Sequence, residues 1–253
     1  MIKLAYKNWE IDNVETVLFD KDGTFIDLHH FWGKMSELRA KEIIKQFNLN
    51  NNMLEKLCTY LGYDINKQKM LPDGITALYS RIKVIELFKN KLEELGIKTT
   101  EEKITEIFDY VSLEFYKNIH KYTKPIDEAI DFIKELHNFG IKIGIVTSDS
   151  VESTKLTLNN FGWENLFDIV IGRESSPETK ESGIPTKMAL KLLNANPKTT
   201  VMIGDAPMDY ISAKNAKIKN TILVTTGQVE EKELKKFSQY VIKTLKDIKC
   251  SKI

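Results

Sequence analysis

Residues 19–27 read FDKDGTFID: two acids one residue apart, a glycine, a threonine and a third acid, directly after the apolar Val17, Leu18 and Phe19. Carboxylates set this close repel one another, so the stretch asks for a reason. The plain reading is a polar turn leaving a strand, since Asp and Gly suit turns for backbone reasons alone. What the rest of the chain delivers near the end of that strand decides between a turn and a site.

Five short apolar runs, at 17–19, 141–146, 169–171, 201–203 and 222–224, are continuous rather than alternating. That pattern belongs to strands buried on both faces of a parallel sheet. Helix-length amphipathic segments lie between the later runs. Residues 126–139 follow Pro125 and stop at Gly140, 151–161 stop at Gly162, 188–193 follow Pro185, and 211–216 form a short piece. The alternation predicts an α/β fold: a twisted, doubly wound parallel sheet with helices on both faces.

From about Leu28 to His120 the pattern changes to helical periodicity alone. Helices are expected over 35–47, 54–61, 75–95 and 104–119, the last preceded by Thr99 and Glu102 at capping-box spacing. Pro72, Asp73 and Gly74 mark a turn. An all-helical insertion after the first strand predicts a second, smaller domain, entered near Leu28 and left between Tyr122 and Pro125. His120 and His137 read as ordinary helix residues.

With 253 residues the chain is long enough for one large or two smaller domains. Its net charge of +1 offers no bulk attraction for nucleic acid or a membrane surface, and no basic stripe with aromatic residues is present. Cys58 and Cys250 stand far apart with no CxxC pair, against structural zinc or a disulfide scaffold and for idle thiols in a reducing compartment. No apolar run approaches the roughly 20 residues a bilayer requires. A soluble cytoplasmic protein is expected, with the lysine-rich C-terminus serving solvation.

In an open parallel sheet, ligands bind beyond the carboxyl ends of the strands. The first run is followed by Asp20 and Asp22, the second by Thr147, Ser148 and Asp149, the fourth by Gly204, Asp205 and Asp209. Three separate strands thus bring hydroxyls or carboxylates to one edge, which a turn alone does not explain. Converging carboxylates repel by several kcal/mol unless a cation sits between them. Oxygen-only ligands point to Mg2+, which binds one or two carboxylates together with substrate phosphate. Lys180 is the obvious fixed cation.

Asp20, Lys21, Asp22, Gly23 and Thr24, then Thr147 ending IGIVT, then Lys180, then GDAPMD at 204–209 resemble, in order and spacing, the four motifs of the haloacid dehalogenase superfamily of phosphohydrolases. The stretches ILVTTGQV and YVIKTL are similar to the end of its phosphoglycolate phosphatase-like branch. Residues 2–15 stay unassigned. The resemblance implies a Rossmann-like core of residues 1–27 and 123–253 with strand order 3-2-1-4-5, and a mobile helical cap of residues 28–122 that closes over the site.

The resemblance also implies roles. Asp20 would be the nucleophile that forms an aspartyl-phosphate. Asp22 would be the general acid and base, with a raised pKa in the substrate complex. Its presence favours a phosphate ester, since dehalogenases lack an acid there. Mg2+ would be held by Asp20, the backbone carbonyl of Asp22 and Asp205, with Asp209 as a further ligand or as a partner of one. Thr147, Ser148, Lys180 and backbone amides after Asp20 would hold the phosphoryl oxygens. Gly23 allows the tight turn and Thr24 braces it. Asp149 reads as the N-cap of the helix at 151–161.

The family often writes the lysine motif as Lys-Pro-x-Pro, whereas here the text is TKESGIPTKMAL. Lys180 precedes Asp205 by 25 residues and suits the branch. Lys187 is the alternative. In the cap, His29, His30, Trp32 and Lys34 could face the pocket, although Trp32 could equally pack the cap, and Arg81 could grip a substrate anion or line a solvated face. Asp27 would order the hinge. The expected enzyme is a Mg2+-dependent phosphatase of a small phosphate ester, as a monomer or homodimer. The alternatives are a phosphomutase similar to β-phosphoglucomutase and a catalytically silent phospholigand-binding regulator.

Overall fold

The computed structural model, which describes all 253 residues, opens with an antiparallel hairpin of β1 (Ile2–Tyr6) and β2 (Trp9–Val14). Sequence reading leaves this segment unassigned because its turn, Lys7 and Asn8, lacks the glycine that usually announces a two-residue hairpin. Lys7 takes the left-handed φ of 46° itself. Ile2, Leu4, Ile11 and Val14 face inward and are buried. Lys3 bridges outward to Glu10 at 2.8 Å. β3 (Thr16–Phe19) follows, buried along its whole length, which is why its run is continuous. Each of its apolar side chains contributes about 1.5–3 kcal/mol by leaving water.

The chain divides into two units, Met1–Asp27 with Lys124–Ile253, and Leu28–Thr123. The second consists of α1 (Leu28–Gln46), α2 (Leu54–Tyr60), a small hairpin of β4 (Tyr63–Asp64) and β5 (Lys69–Met70), α3 (Ile75–Leu78), α4 (Arg81–Glu94), α5 (Glu101–Lys117) and α6 (Ile119–Tyr122). Its core gathers Ile43, Leu57, Phe88, Leu92, Ile104 and Phe108. Three expectations are corrected here. The helix expected over 75–95 is broken at Tyr79, because the Ser80 side chain caps α4 by accepting from the Lys83 N–H. The α5 cap is Thr100, not Thr99, accepting from the Lys103 N–H at 3.2 Å. The hairpin at 63–70 escapes a periodicity search because each strand has only two residues.

The chain re-enters the first unit through α7 (Asp127–Asn138), which buries Ala129, Ile130, Phe132, Ile133 and Leu136. Then come β6 (Lys142–Val146), α8 (Val151–Phe161), β7 (Ile169–Ile171), α9 (Ile184–Leu192), β8 (Thr200–Gly204), α10 (Pro207–Asn215), β9 (Asn220–Val224), α11 (Glu231–Leu234), β10 (Tyr240–Ile242) and β11 (Lys249–Lys252). The main sheet has the order β10-β9-β8-β3-β6-β7, all parallel. The five expected strands stand in the order 3-2-1-4-5, and β10 adds a sixth at the edge. β3 lies centrally, pairing with β6 and β8, so its carboxyl end marks the point where strand order reverses.

β11 pairs antiparallel with β1, so the lysine-rich C-terminus is a strand of a second, three-stranded sheet rather than a solvating tail. Its lysines remain exposed while the backbone makes the ladder. Trp9 packs edge-on against Tyr240 with centroids 5.0 Å apart. Both cysteines are free, and burial pushes each thiol up to about 12. No helix is long and apolar enough to cross a membrane.

Candidate active site

Asp20 is the first residue past β3, and its N–H donates to the Ile203 carbonyl of the neighbouring strand at 2.8 Å. This bond continues the ladder one residue beyond the strand and sets the carboxylate at the sheet edge. Asp205 stands at the same level after β8, and Asp209 lies in the first turn of α10, where its Oδ2 accepts from the Ala206 N–H at 3.0 Å. All three are buried, and one oxygen from each lies within 4.8 Å of the others. Lys180 comes from a short turn before α9 and is 5 % exposed. Its Nζ lies 2.5 Å from Asp20 Oδ1 and 2.6 Å from Asp209 Oδ1. Lys187 sits exposed on α9, because two residues past the buried Pro185 it falls on the opposite, solvent side of the helix.

Crowded, dehydrated acids are reluctant to ionise together. Burial pushes Asp20 up to about 7, with Lys180 pulling down and Asp209 pushing up. Burial also raises Asp205 well above the ordinary carboxylate value, and the charges of Asp20 and Asp209 add to it. Burial alone would lower Lys180, but Asp20 and Asp209 outweigh it and hold the ammonium charged. Fully ionised, three carboxylates against one ammonium would leave two negative charges uncompensated among hard oxygen donors. That charge and donor set fit a divalent cation of the magnesium type.

Glycines let the backbone come this close. Gly23 has a φ of +87°, and a Cβ there would collide with the Asp205 carboxylate. A Cβ at Gly227 would collide with the same carboxylate, and one at Gly204 with that of Asp209. Thr226 Oγ1 donates to the Gly23 carbonyl at 2.5 Å. Thr226 and Gly227 lie in the stretch ILVTTGQV, which the sequence reading quotes without giving them a role in the site, although the strand-end rule extended to β9 points to them. Thr147 is buried, its N–H donating to the Ile171 carbonyl and its Oγ1 accepting from the Asp149 N–H at 3.1 Å. Ser148 is exposed, with its hydroxyl 3.4 Å from Met208 Sδ.

Asp22 Oδ1 lies 2.8 Å from Lys21 Nζ, whose other neighbour is Asp149 Oδ2 at 3.0 Å. Asp149 is therefore not the N-cap of α8. Ser150 is, accepting from the Ser153 N–H at 3.0 Å, while Asp149 is buried against Lys21. The sequence reading sets the cap one residue too early. Gly23 N–H donates to the Ile26 carbonyl, closing the turn that carries Thr24, which is buried. Asp27 N–H donates to the Lys124 carbonyl at 2.8 Å, where the chain leaves and re-enters the first unit.

The remaining candidates belong to the second unit. Arg81 pairs with the exposed Asp109 at 2.5 Å, which joins α4 to α5 on a solvated face. Trp32 packs against the unit's core and lies edge-on to Phe31. His29 Nδ1 accepts from the Met70 N–H at 3.0 Å. His30 Nε2 is 3.5 Å from the Lys121 carbonyl, and Lys34 pairs with Glu37 at 2.9 Å.

Comparison with known proteins places this geometry in context. The family model described as haloacid dehalogenase-like hydrolase matches residues 14–217. Pyrophosphatase PpaX of Halalkalibacterium halodurans is 24% identical over 235 residues, covering 93% of this chain and 95% of that protein. Phosphoglycolate phosphatase of Aquifex aeolicus is 26% identical over 217 residues, covering 86% of this chain and 87% of that protein. A solved structure from Haemophilus somnus, described as a predicted phosphoglycolate phosphatase, shares the fold with a TM-score of 0.73 at 16% identity, over 94% of this chain and 97% of that one.

Proposed function

The chain belongs to the haloacid dehalogenase-like hydrolases, and on that premise we propose that it is a cytoplasmic Mg2+-dependent phosphatase of a small phosphorylated metabolite. Asp20 Oδ attacks phosphorus, the bond from phosphorus to the leaving oxygen breaks, and Asp22 gives that oxygen a proton. Asp22 then takes a proton from water, which attacks the aspartyl-phosphate and returns Asp20 as a carboxylate. Lys180, Thr147 and Ser148 hold the phosphoryl oxygens while charge develops on them. Asp20, Asp205 and the Asp22 carbonyl would hold the magnesium ion, with Asp209 as a further ligand or as a partner of one; the bound ion would offset phosphoryl charge and align phosphorus with its attacker. Leu28–Thr123 is the cap, and substrate choice resides there, with His30, Trp32 and Lys34 as contact candidates.

The observation that carries the reading is the buried meeting of Asp20, Asp205, Asp209 and Lys180. Phosphoglycolate is the first substrate to try and pyrophosphate the second, on the names borne by the relatives. A panel of phosphorylated metabolites assayed with Mg2+ and with excess EDTA tests it. Turnover of at least one ester in Mg2+, absent in EDTA and absent in Asp20→Asn, is expected. Turnover that survives chelation, or that survives Asp20→Asn, overturns the reading.

A further inference from the structure

Lys21 lies between the two acids of the first motif and has no part in the mechanism above, yet it is fully buried. A buried ammonium is expensive unless paired, and this one touches two carboxylates, Asp22 Oδ1 at 2.8 Å and Asp149 Oδ2 at 3.0 Å. Burial by itself would lower its pKa, but the charges of Asp149 and then Asp22 outweigh it, so Lys21 stays charged. Burial would likewise raise Asp149, and the Lys21 ammonium holds it below the usual carboxylate range instead. Asp149 is fixed in turn by the Ser150 N–H, which donates to its Oδ1 at 2.7 Å.

Two readings separate here. Lys21 could exist only to neutralise Asp149, a local matter of folding. The contact with Asp22 argues for more. It engages Oδ1, an atom sealed from solvent, and so restrains the carboxyl rotamer. Through Asp149 the same ammonium ties the loop after β3 to the loop after β6, which carries Thr147.

We propose that Lys21 is a positioning residue for Asp22: it holds the carboxyl group so that this acid meets the leaving oxygen as the bond to phosphorus breaks and delivers its proton there. The assignment rests on the reading of Asp22 as proton donor. A positioned acid matters most where the departing oxygen cannot carry negative charge. An alkyl phosphate needs the proton; p-nitrophenyl phosphate hardly does. Damage to packing or to phosphate binding would slow both.

The test compares kcat/KM for glycerol 2-phosphate and p-nitrophenyl phosphate, since kcat/KM counts only steps through cleavage of the leaving group. Lys21→Met should lose on the order of 10²-fold with the alkyl ester, within the range of general acid catalysis, and under about 5-fold with the aryl ester. Because Lys21→Met strands two buried carboxylates, the double variant Lys21→Met/Asp149→Asn carries the test if the single one fails to fold. The same alkyl-selective loss is expected in it. Recovery of near wild-type rates by the double variant would reduce Lys21 to a counterion of Asp149, and equal losses for both esters would reject positioning. Asp22→Asn keeps the two levels apart. It should show the alkyl-selective loss more strongly, and failing to do so would reject the role of Asp22 itself.

Discussion

Replacing Lys180 by methionine keeps the length of the side chain and removes the one ammonium that Asp20 and Asp209 share at 2.5 and 2.6 Å. Deleting one partner of a buried ion pair costs about 3–5 kcal/mol, because the remaining charge is left without compensation. In a chain of this size each kcal/mol moves Tm by about 2–4 °C, so the variant should melt roughly 6–20 °C lower in EDTA at pH 8. The pH dependence has a definite sign. Lys180 has a raised pKa, so its own stabilisation is complete below the unfolded value near 10.5 and constant from pH 5 to 8. Asp20 is raised to about 7, so its folded form takes up a proton that the unfolded chain releases near 4, and the site without metal loses stability as pH climbs through that window. Protonation at pH 5 removes much of the charge stranded by Lys180→Met, and the Tm deficit should shrink. Scanning calorimetry at both pH values, beside Lys187→Met as the exposed control, reads this directly. A deficit at pH 8 no larger than that of Lys187→Met, or one that grows at pH 5, would refute the electrostatic argument.

Asp205→Asn should raise Tm in EDTA at pH 8 by a few degrees, since the acid is buried and repelled by Asp20 and Asp209, while abolishing the added stability that Mg2+ confers on the wild type. That Mg2+-dependent gain should itself be larger at pH 8 than at pH 5, where protons compete for Asp20 and Asp205; an equal gain at both would contradict the raised values. Gly227→Ala forces the Asp205 carboxylate aside and should lower kcat by ~10–100-fold with little change in Tm, the usual cost of displacing a reacting group by about 1 Å. Leu4→Ala, in the first strand, should cost about 2–5 kcal/mol as a buried Leu truncation, and an unchanged melting curve would mean that β1 packs against nothing.

Much of this molecule is readable from the chain because its signals are local. Continuous apolar runs reveal β3, β6, β7, β8 and β9, since a strand covered on both faces has no polar side to show. The acids and glycines at the strand ends reveal the edge where Asp20 and Asp205 meet, since parallel strands deliver their carboxyl ends to one side. Helical periodicity reveals the second unit's helices but misses the break at Tyr79, where a single serine cap overrides an uninterrupted apolar pattern. The pairing of β1 with β11 joins the two ends of the chain, and no local pattern records a partner nearly the whole sequence away. The choice between Lys180 and Lys187, and the pairing of Asp149 with Lys21 instead of its own helix, wait on the same thing. Residue type and spacing determined which groups could carry charge to the sheet edge. Only the folded backbone decided which charges lie within 3 Å of each other, because Coulomb and desolvation energies depend on that separation and that burial, and neither is a property of neighbours in sequence.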